Sequence, residues 1–280
     1  MFTSISIETG LALLILAFAA EYLDSSVGMG YGTSLTPILL ILGFDPLQIV
    51  PAILMSELVS GLLGGMLHSR AGNSSFQFKT YAPGNARVLI KKHGIISFLR
   101  LSISRDLKTV LVISVFSIIG TSLSVGVALS ISKFALKTYI GVLVVIIGLL
   151  ILLTAKKNFS FSWSKIILLS IIASFNKGIS GGGYGPVVTG GQLLSGVNDK
   201  SAIGITSLSE GLTCAAGISL YLLFSNGIDF SLFPFLITGA VISVPFSVLT
   251  VKKMNTDNLR YIIGICAIAL GLFTLGKLFL

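Results

Sequence analysis

The sequence predicts an all-α, polytopic membrane protein built from two tandem repeats with broken helices, about eight full spans plus two short membrane helices. Three observations carry this. First, the chain is 54% hydrophobic and 10% charged, with a mean hydropathy of +0.99, whereas a soluble domain carries about 25% charged residues. Second, long apolar runs are interrupted twice by glycine-dense polar stretches, Asp24-Ser-Ser-Val-Gly-Met-Gly-Tyr-Gly32 and Lys177-Gly-Ile-Ser-Gly-Gly-Gly-Tyr-Gly185. Third, the second stretch repeats the first at one ungapped shift, 181 − 28 = 153 residues. That shift superimposes Gly28 on Gly181, Gly30 on Gly183, Tyr31 on Tyr184, Ser56 on Ser209 and Glu57 on Glu210. Chance does not align so many special residues, so the chain is a duplication.

The elements follow in order. An apolar run from residue 11 to about 23 opens the first membrane helix, and the first break ends it. A short apolar piece, 33–42, leads to the turn Gly43-Phe-Asp-Pro46, with the proline placed to start a helix that carries Glu57 near its middle. Residues 69–105 form the one long polar linker, with seven Lys/Arg and no acid before Asp106. Within it, 88–101 reads as a basic amphipathic helix on the membrane surface. Two full spans, about 107–130 and 134–154, complete the first repeat, 1–155. The second repeat, 156–280, copies the plan: a helix from 166, the break at 176–185, a short piece to 194, the Glu210 helix to about 224, and spans near 230–251 and 257–278.

Basic residues orient the chain. The linker 69–105 belongs in the cytoplasm, and Lys156, Lys157 and Lys165 return to the same side two spans later. Placing Lys252, Lys253 and Arg260 there as well requires an odd number of crossings between Lys165 and Asn226. We therefore expect the short helix after each break to carry the chain onward, which makes the halves inverted and puts both termini outside. A re-entrant break is the competing arrangement. The plasma membrane is the expected location. Net charge +9 reads as topology signal and anionic-lipid contact, so no nucleic acid is implied. The first ten residues contain no base and carry Glu8, unlike a cleaved signal peptide. Cys214 and Cys266 form neither a disulfide framework nor a metal site, and no cofactor is implied.

Chemistry concentrates at the breaks. Glycine adopts backbone angles other residues avoid, and an unwound helix survives in a membrane only inside protein or beside a watery cavity. The freed amides and helix N-termini suit an anion. Gly28, Gly30, Gly181 and Gly183 supply that backbone. Ser26, Tyr31, Ser180 and Tyr184 supply hydroxyls, and Asn176 with Lys177 supplies an amide and a charge. Lys177 could instead sit at the interface or pair with Asp24, its counterpart in the repeat. A carboxylate at mid-bilayer costs about 2.5–3.5 kcal/mol, so Glu21, Asp24, Glu57 and Glu210 are candidates by default. Glu57 shares a helix face with Ser60, Gly61 and Gly64, and Glu210 with Thr206, Thr213, Cys214 and Gly217, so each faces protein. Each Glu, behind Ser56 or Ser209, either caps its own half's broken helix or carries a coupling proton.

Other motifs compete. Gly-Tyr-Gly occurs in potassium filters, which would make a dimeric channel, but filters lack a Ser-Glu helix behind them. Gly178-Ile-Ser-Gly-Gly182 fits the hydrolase pattern Gly-x-Ser-x-Gly. The histidines, His68 and His93, lie at a helix end and in the linker, and the first copy has Val27 where Ser180 stands. An enzyme is not expected. Gly61 and Gly65 could form a dimerisation face or pack within the protein, so an oligomer is possible.

The stretches Ala19-Ala-Glu-Tyr-Leu-Asp-Ser-Ser-Val-Gly-Met-Gly-Tyr-Gly32 with Pro37, and Ser174-Phe-Asn-Lys-Gly-Ile-Ser-Gly-Gly-Gly-Tyr-Gly-Pro186, each with its Ser-Glu helix, resemble the sulfite exporter TauE/SafE family of membrane transporters. The resemblance covers nearly the whole duplicated plan. It implies secondary transport of sulfite or small organosulfonate anions across the plasma membrane. The long basic linker departs from the compact loop expected of such a protein.

Overall fold

In a computed structural model, which describes residues 6–44, 46–78, 91, 102–128, 133–157, 159–180, 183–224 and 229–276, the chain is all-helical. Among the described residues the helices are α1 (Ile7–Val27), α2 (Tyr31–Ile41), α3 (Pro46–Ala71), α4 (Arg105–Ala128), α5 (Lys133–Leu153), α6 (Trp163–Ser180), α7 (Tyr184–Leu194), α8 (Asp199–Phe224), α9 (Phe233–Lys253) and α10 (Thr256–Gly276). Eight are long, and α2 and α7 have 11 residues each. Among the described residues five stretches are long and apolar enough to cross a membrane: Ile7–Val27, Gln48–Ala71, Asp199–Leu223, Phe233–Lys253 and Asn258–Gly276. The two ends of the long linker meet, with Ser75 N–H donating to Asp106 at 2.8 Å and Ser104 N–H to Gln77 O at 3.0 Å. The surface helix expected at 88–101 lies, apart from Lys91, outside the described residues.

Each break turns the chain back. Ser162 N–H donates to Ser195 O at 3.1 Å, and Gly196 lies against the Phe159–Phe161 backbone. The end of α7 therefore sits beside the start of α6. In the first half, Leu39 and Phe44 at the far end of α2 share a buried cluster with Leu13 near the start of α1. This corrects the expectation that the short helix carries the chain onward. Because α6 and α7 together return to their starting side, α8 alone carries the chain from the Lys165 end to the opposite end. Accordingly the basic residues gather at one end. Arg260 donates to the carbonyls of Ala155 (3.3 Å) and Lys157 (3.0 Å), Lys200 Nζ donates to Lys252 O at 2.9 Å, and Ser201 Oγ to Asn73 O at 3.5 Å. At the opposite end Gln48 Nε2 donates to Asp229 at 2.6 Å.

The packing exchanges partners between the halves. α1 packs on α9, α6 on α4, and α9 and α4 also pack on α3 and α8 respectively. One buried cluster accordingly draws Leu13, Ala17, Tyr31, Leu35, Ile53 and Leu236 from α1, α2, α3 and α9. Two antiparallel crossings join like helices. In α3–α8, Gly61 lies against Ser207 O and Gly211, Gly65 against Leu208, and Gly217 against Leu54. In α5–α10, Gly141 faces Gly271 O and Gly148 faces Gly264 O. Without a side chain at these positions the backbones approach closely, as membrane helices require. Gly61 and Gly65 thus pack within the chain, which leaves the proposed dimerisation face already occupied.

Candidate functional site

α1 stays helical through Val27 and ends on Gly28, whose left-handed φ of 74° no side-chain-bearing residue adopts cheaply and whose N–H donates to Asp24 O. A side chain there would also strike Thr189, whose hydroxyl donates to Gly28 O at 2.7 Å. In the second break Gly183, the counterpart of Gly30, has a left-handed φ of 76° and caps the start of α7. Its N–H donates to Thr33 Oγ1 at 3.1 Å. Gly185 lies against Gly28 O and the Met29 backbone, so the two breaks meet back to back.

Lys177 projects from α6 into this junction. Its Nζ lies 2.8 Å from Glu57 Oε2 on α3 and 2.5 Å from Glu210 Oε1 on α8. The ammonium also stands 5.2 Å from the centroid of the Tyr184 ring. All four residues are buried. A bare charge at such a site would cost several kcal/mol, and mutual pairing is what makes the triad tolerable. Cys214 Sγ–H points at Glu57 Oε2 from 3.4 Å. Glu210 Oε2 is buried without a hydrogen-bond partner. When all three groups are ionised the triad carries one positive and two negative charges.

Among the described residues neither glutamate accepts an amide hydrogen from a break. Asp24 does so instead, its Oδ1 accepting the Tyr31 amide hydrogen at 3.3 Å. The tyrosines are held by hydroxyls. Tyr31 OH bonds Ser56 at 2.7 Å and donates to Leu236 O at 3.4 Å, while Tyr184 OH meets Ser117 at 3.1 Å and Thr213 at 3.4 Å. Tyr31 and Tyr184 open helices, so Gly-Tyr-Gly is not an extended filter of carbonyls here.

Small cavities flank Lys177. One of about 10 Å³ is lined by Asp24, Tyr31, Glu57, Lys177, Tyr184 and Glu210, with the break glycines. Another of about 60 Å³, lined by Val50, Leu54, Thr121, Thr213 and Tyr221, also ends on Lys177. Lys177 is the residue that both linings share.

Of the residues expected at the site, Asp24, Gly30, Tyr31, Glu57, Lys177, Gly183, Tyr184 and Glu210 come together at one cavity. Ser56 supports Tyr31. Asn176 is buried on α6 beside Lys177. Ser26 and Ser209 turn to their own helices, donating to Leu23 O and Thr206 O. Gly181 and the Ser180 side chain lie outside the described residues. His68, the base a hydrolase would need, is engaged elsewhere, with Nε2 on Ser25 O and Nδ1 on Asn73, both at 3.0 Å.

Sequence reasoning missed the contribution of α4. Ser114, Ser117, Thr121 and Ser124 are all buried and recur at helical spacing on one face, a readable signal. Glu21, accepting from Ser25 Oγ at 2.6 Å and Ser60 Oγ at 3.0 Å, supports the helix packing behind the site.

Broken helices that bring backbone and charge together inside an apolar bundle are how membrane transporters build their sites, and a multi-pass membrane transporter is the class to which this protein belongs. A family model described as Sulfite exporter TauE/SafE matches residues 88–274, and the chain belongs to that family. It is 24% identical over 270 residues to the probable membrane transporter protein YtnM of Bacillus subtilis (strain 168), covering 90% of this chain and 79% of that protein. No solved structure gives a significant match. The matched region begins after the Glu57 helix, so it contains the second break and not the first.

Proposed function

We propose that the chain is a secondary transporter that exports a small anion, of the sulfite or organosulfonate class, by alternating access at a midplane site made by the two breaks. The observation that carries the reading is Lys177, a buried ammonium held by one glutamate from each repeat between two cavities. An anion cannot approach a triad with a surplus carboxylate unless a proton arrives as well. Protonation of Glu210 or Glu57 frees the ammonium, the anion takes the vacated contact, and proton and anion move together. Asp24 and the break amides hold the short helix in place while this happens, and Tyr31 and Tyr184 with Ser56 steady the glycine turns.

The basic end, with linker 69–105, faces the cytoplasm of a plasma membrane. The α1–α2 hairpin then enters from outside and the α6–α7 hairpin from inside. Six helices (α3, α4, α5, α8, α9 and α10) carry the chain across. The repeats 1–155 and 156–280 are inverted, and both termini lie outside. The test is efflux of sulfite, sulfonates and thiosulfate from proteoliposomes, with and without a pH gradient. Wild type should respond to the gradient, and Glu57→Gln and Glu210→Gln should insert normally yet lose coupled transport. Normal export by both variants at every pH would remove the coupling role. Current without saturation would favour a channel.

A further inference from the structure

A cavity of about 700 Å³ opens at the basic end, remote from the Lys177 junction. Its wall includes Arg105 at the start of α4, Lys156 after α5, Asn198 and Asp199 at the start of α8, and Arg260 with Tyr261 on α10. The three cations are not equivalent. Arg260 is a strut, paired to Asp199 at 2.7 Å and donating to the carbonyls of Ala155 and Lys157. Arg105 lies over the Phe161 ring, 4.9 Å from its centroid. That contact fixes the guanidinium and leaves its donors unmatched by any carboxylate among the described residues. Lys156 likewise engages no carboxylate there. The cavity's acid, Asp199, is already bound to Arg260, so among the described residues the cavity offers two positive charges that no carboxylate compensates, around an immobilised frame.

Its surroundings select the ligand. Trp163, edge-on to Phe161 at 4.8 Å, and Tyr261 are partly exposed beside it, as aromatics at a bilayer interface are. Directly along α5 and α10 from the cavity, Leu153, Leu150, Leu149 and Ile265 are exposed. A charged cavity standing over an exposed apolar helix face fits a molecule with a phosphate at one end and hydrocarbon at the other. We infer that this cavity binds the phosphate of an anionic phospholipid headgroup through Arg105 and Lys156, with the acyl chains on the outer faces of α5 and α10. The bound headgroup would tie together α4, α8, α10 and the α5–α6 connection, drawn from both repeats.

The test is thermal unfolding of the purified full chain in neutral detergent with added phosphatidylglycerol, phosphatidylcholine or inorganic phosphate. Phosphatidylglycerol should raise the midpoint by about 2–4 °C over phosphatidylcholine. Lys156→Gln, an exposed change that touches no internal contact, should lose at least half of that gain, and Lys156→Gln with Arg105→Gln nearly all of it. Equal effects of the two lipids, or a full phosphatidylglycerol gain in the double variant, would overturn the site. A gain from inorganic phosphate equal to that from phosphatidylglycerol would overturn the lipid assignment and leave a soluble phosphate as the ligand.

Discussion

The two breaks share a backbone device and differ in the charge beside it. Residue 24 and residue 177 are equivalent under the repeat, and they carry opposite signs. Asp24 turns inward to its own half and receives the Tyr31 amide that opens α2. Lys177 reaches out to Glu57 in the other half as well as to Glu210 in its own. Duplication supplied two copies of the turn, and divergence at one position made one copy a cap and the other a cation. The proposed anion site, shared by the two halves, accounts for that asymmetry, because two equivalent lysines would repel each other and two equivalent aspartates would repel the substrate.

The largest effect is therefore expected at these two positions. Lys177→Met should abolish transport and leave two buried carboxylates unpaired, a loss of about 3–5 kcal/mol if both stay ionised. Asp24→Asn keeps an oxygen for the Tyr31 amide, so the fold should hold, and transport should fall by less than about tenfold, under about 1.4 kcal/mol. Efflux assays on both variants decide it. An Asp24→Asn defect as deep as that of Lys177→Met would mean the breaks are chemically equivalent after all.

Much of this was legible locally. Helix breaks, short helices and the buried glutamates follow from glycine spacing, apolar length and the cost of charge, all of which act within a few residues. The fold-back of α2 and α7 was not legible, since side-counting by lysine gives the same parity for a hairpin followed by one crossing as for three crossings. Nor was the exchange of α4 and α9 between halves, which is decided by which apolar faces fit and leaves no mark on spacing. Lys177 shows the limit at the site itself. Its need for a partner was plain, but Asp24 was the partner the repeat suggested, and Asp24 is bound to the first amide of α2 in its own half.

The short helices repeat the asymmetry in their packing. α7 is pressed onto α5, and a side chain on Gly190 would crowd Ile147 and stand 3.1 Å from Ile151. The equivalent flank of α2 faces a groove of about 350 Å³ toward α10, lined by Ser34, Met29, Leu23, Cys266 and Leu270. Val187, the counterpart of Ser34, is fully buried. Under the proposed alternating-access reading, one flank closed and the other open is the pattern that transport would exchange. Gly190→Ala should cost about 1–3 kcal/mol by overpacking, seen as a lower melting temperature. Ser34→Leu should leave melting nearly unchanged and slow transport by filling the space α10 would close. Unimpaired transport by Ser34→Leu would show that α10 does not approach α2.

The smallest difference lies where the Glu helices begin. Position 48 and its counterpart 201 each tie a helix start to a connecting segment, but Gln48 uses a carboxylate, Asp229, whereas Ser201 uses the carbonyl of Asn73. The Ser231 amide, donating at 2.8 Å, with Gln48 beside it, holds the Asp229 carboxyl below its ordinary range. A carboxyl whose folded value is depressed contributes stability that is present above its unfolded value and lost as pH falls through the folded one. Because Asp229 is only half-buried at the helix start, solvent screening holds the contribution to under about 1 kcal/mol. Gln48→Ala should therefore lower the melting temperature slightly at neutral pH and converge with wild type as acid protonates Asp229, while Ser201→Ala should shift melting by the same amount at every pH. Parallel melting curves for wild type and Gln48→Ala down to strongly acidic pH would show that the carboxylate tie contributes no more than its uncharged counterpart at the other end.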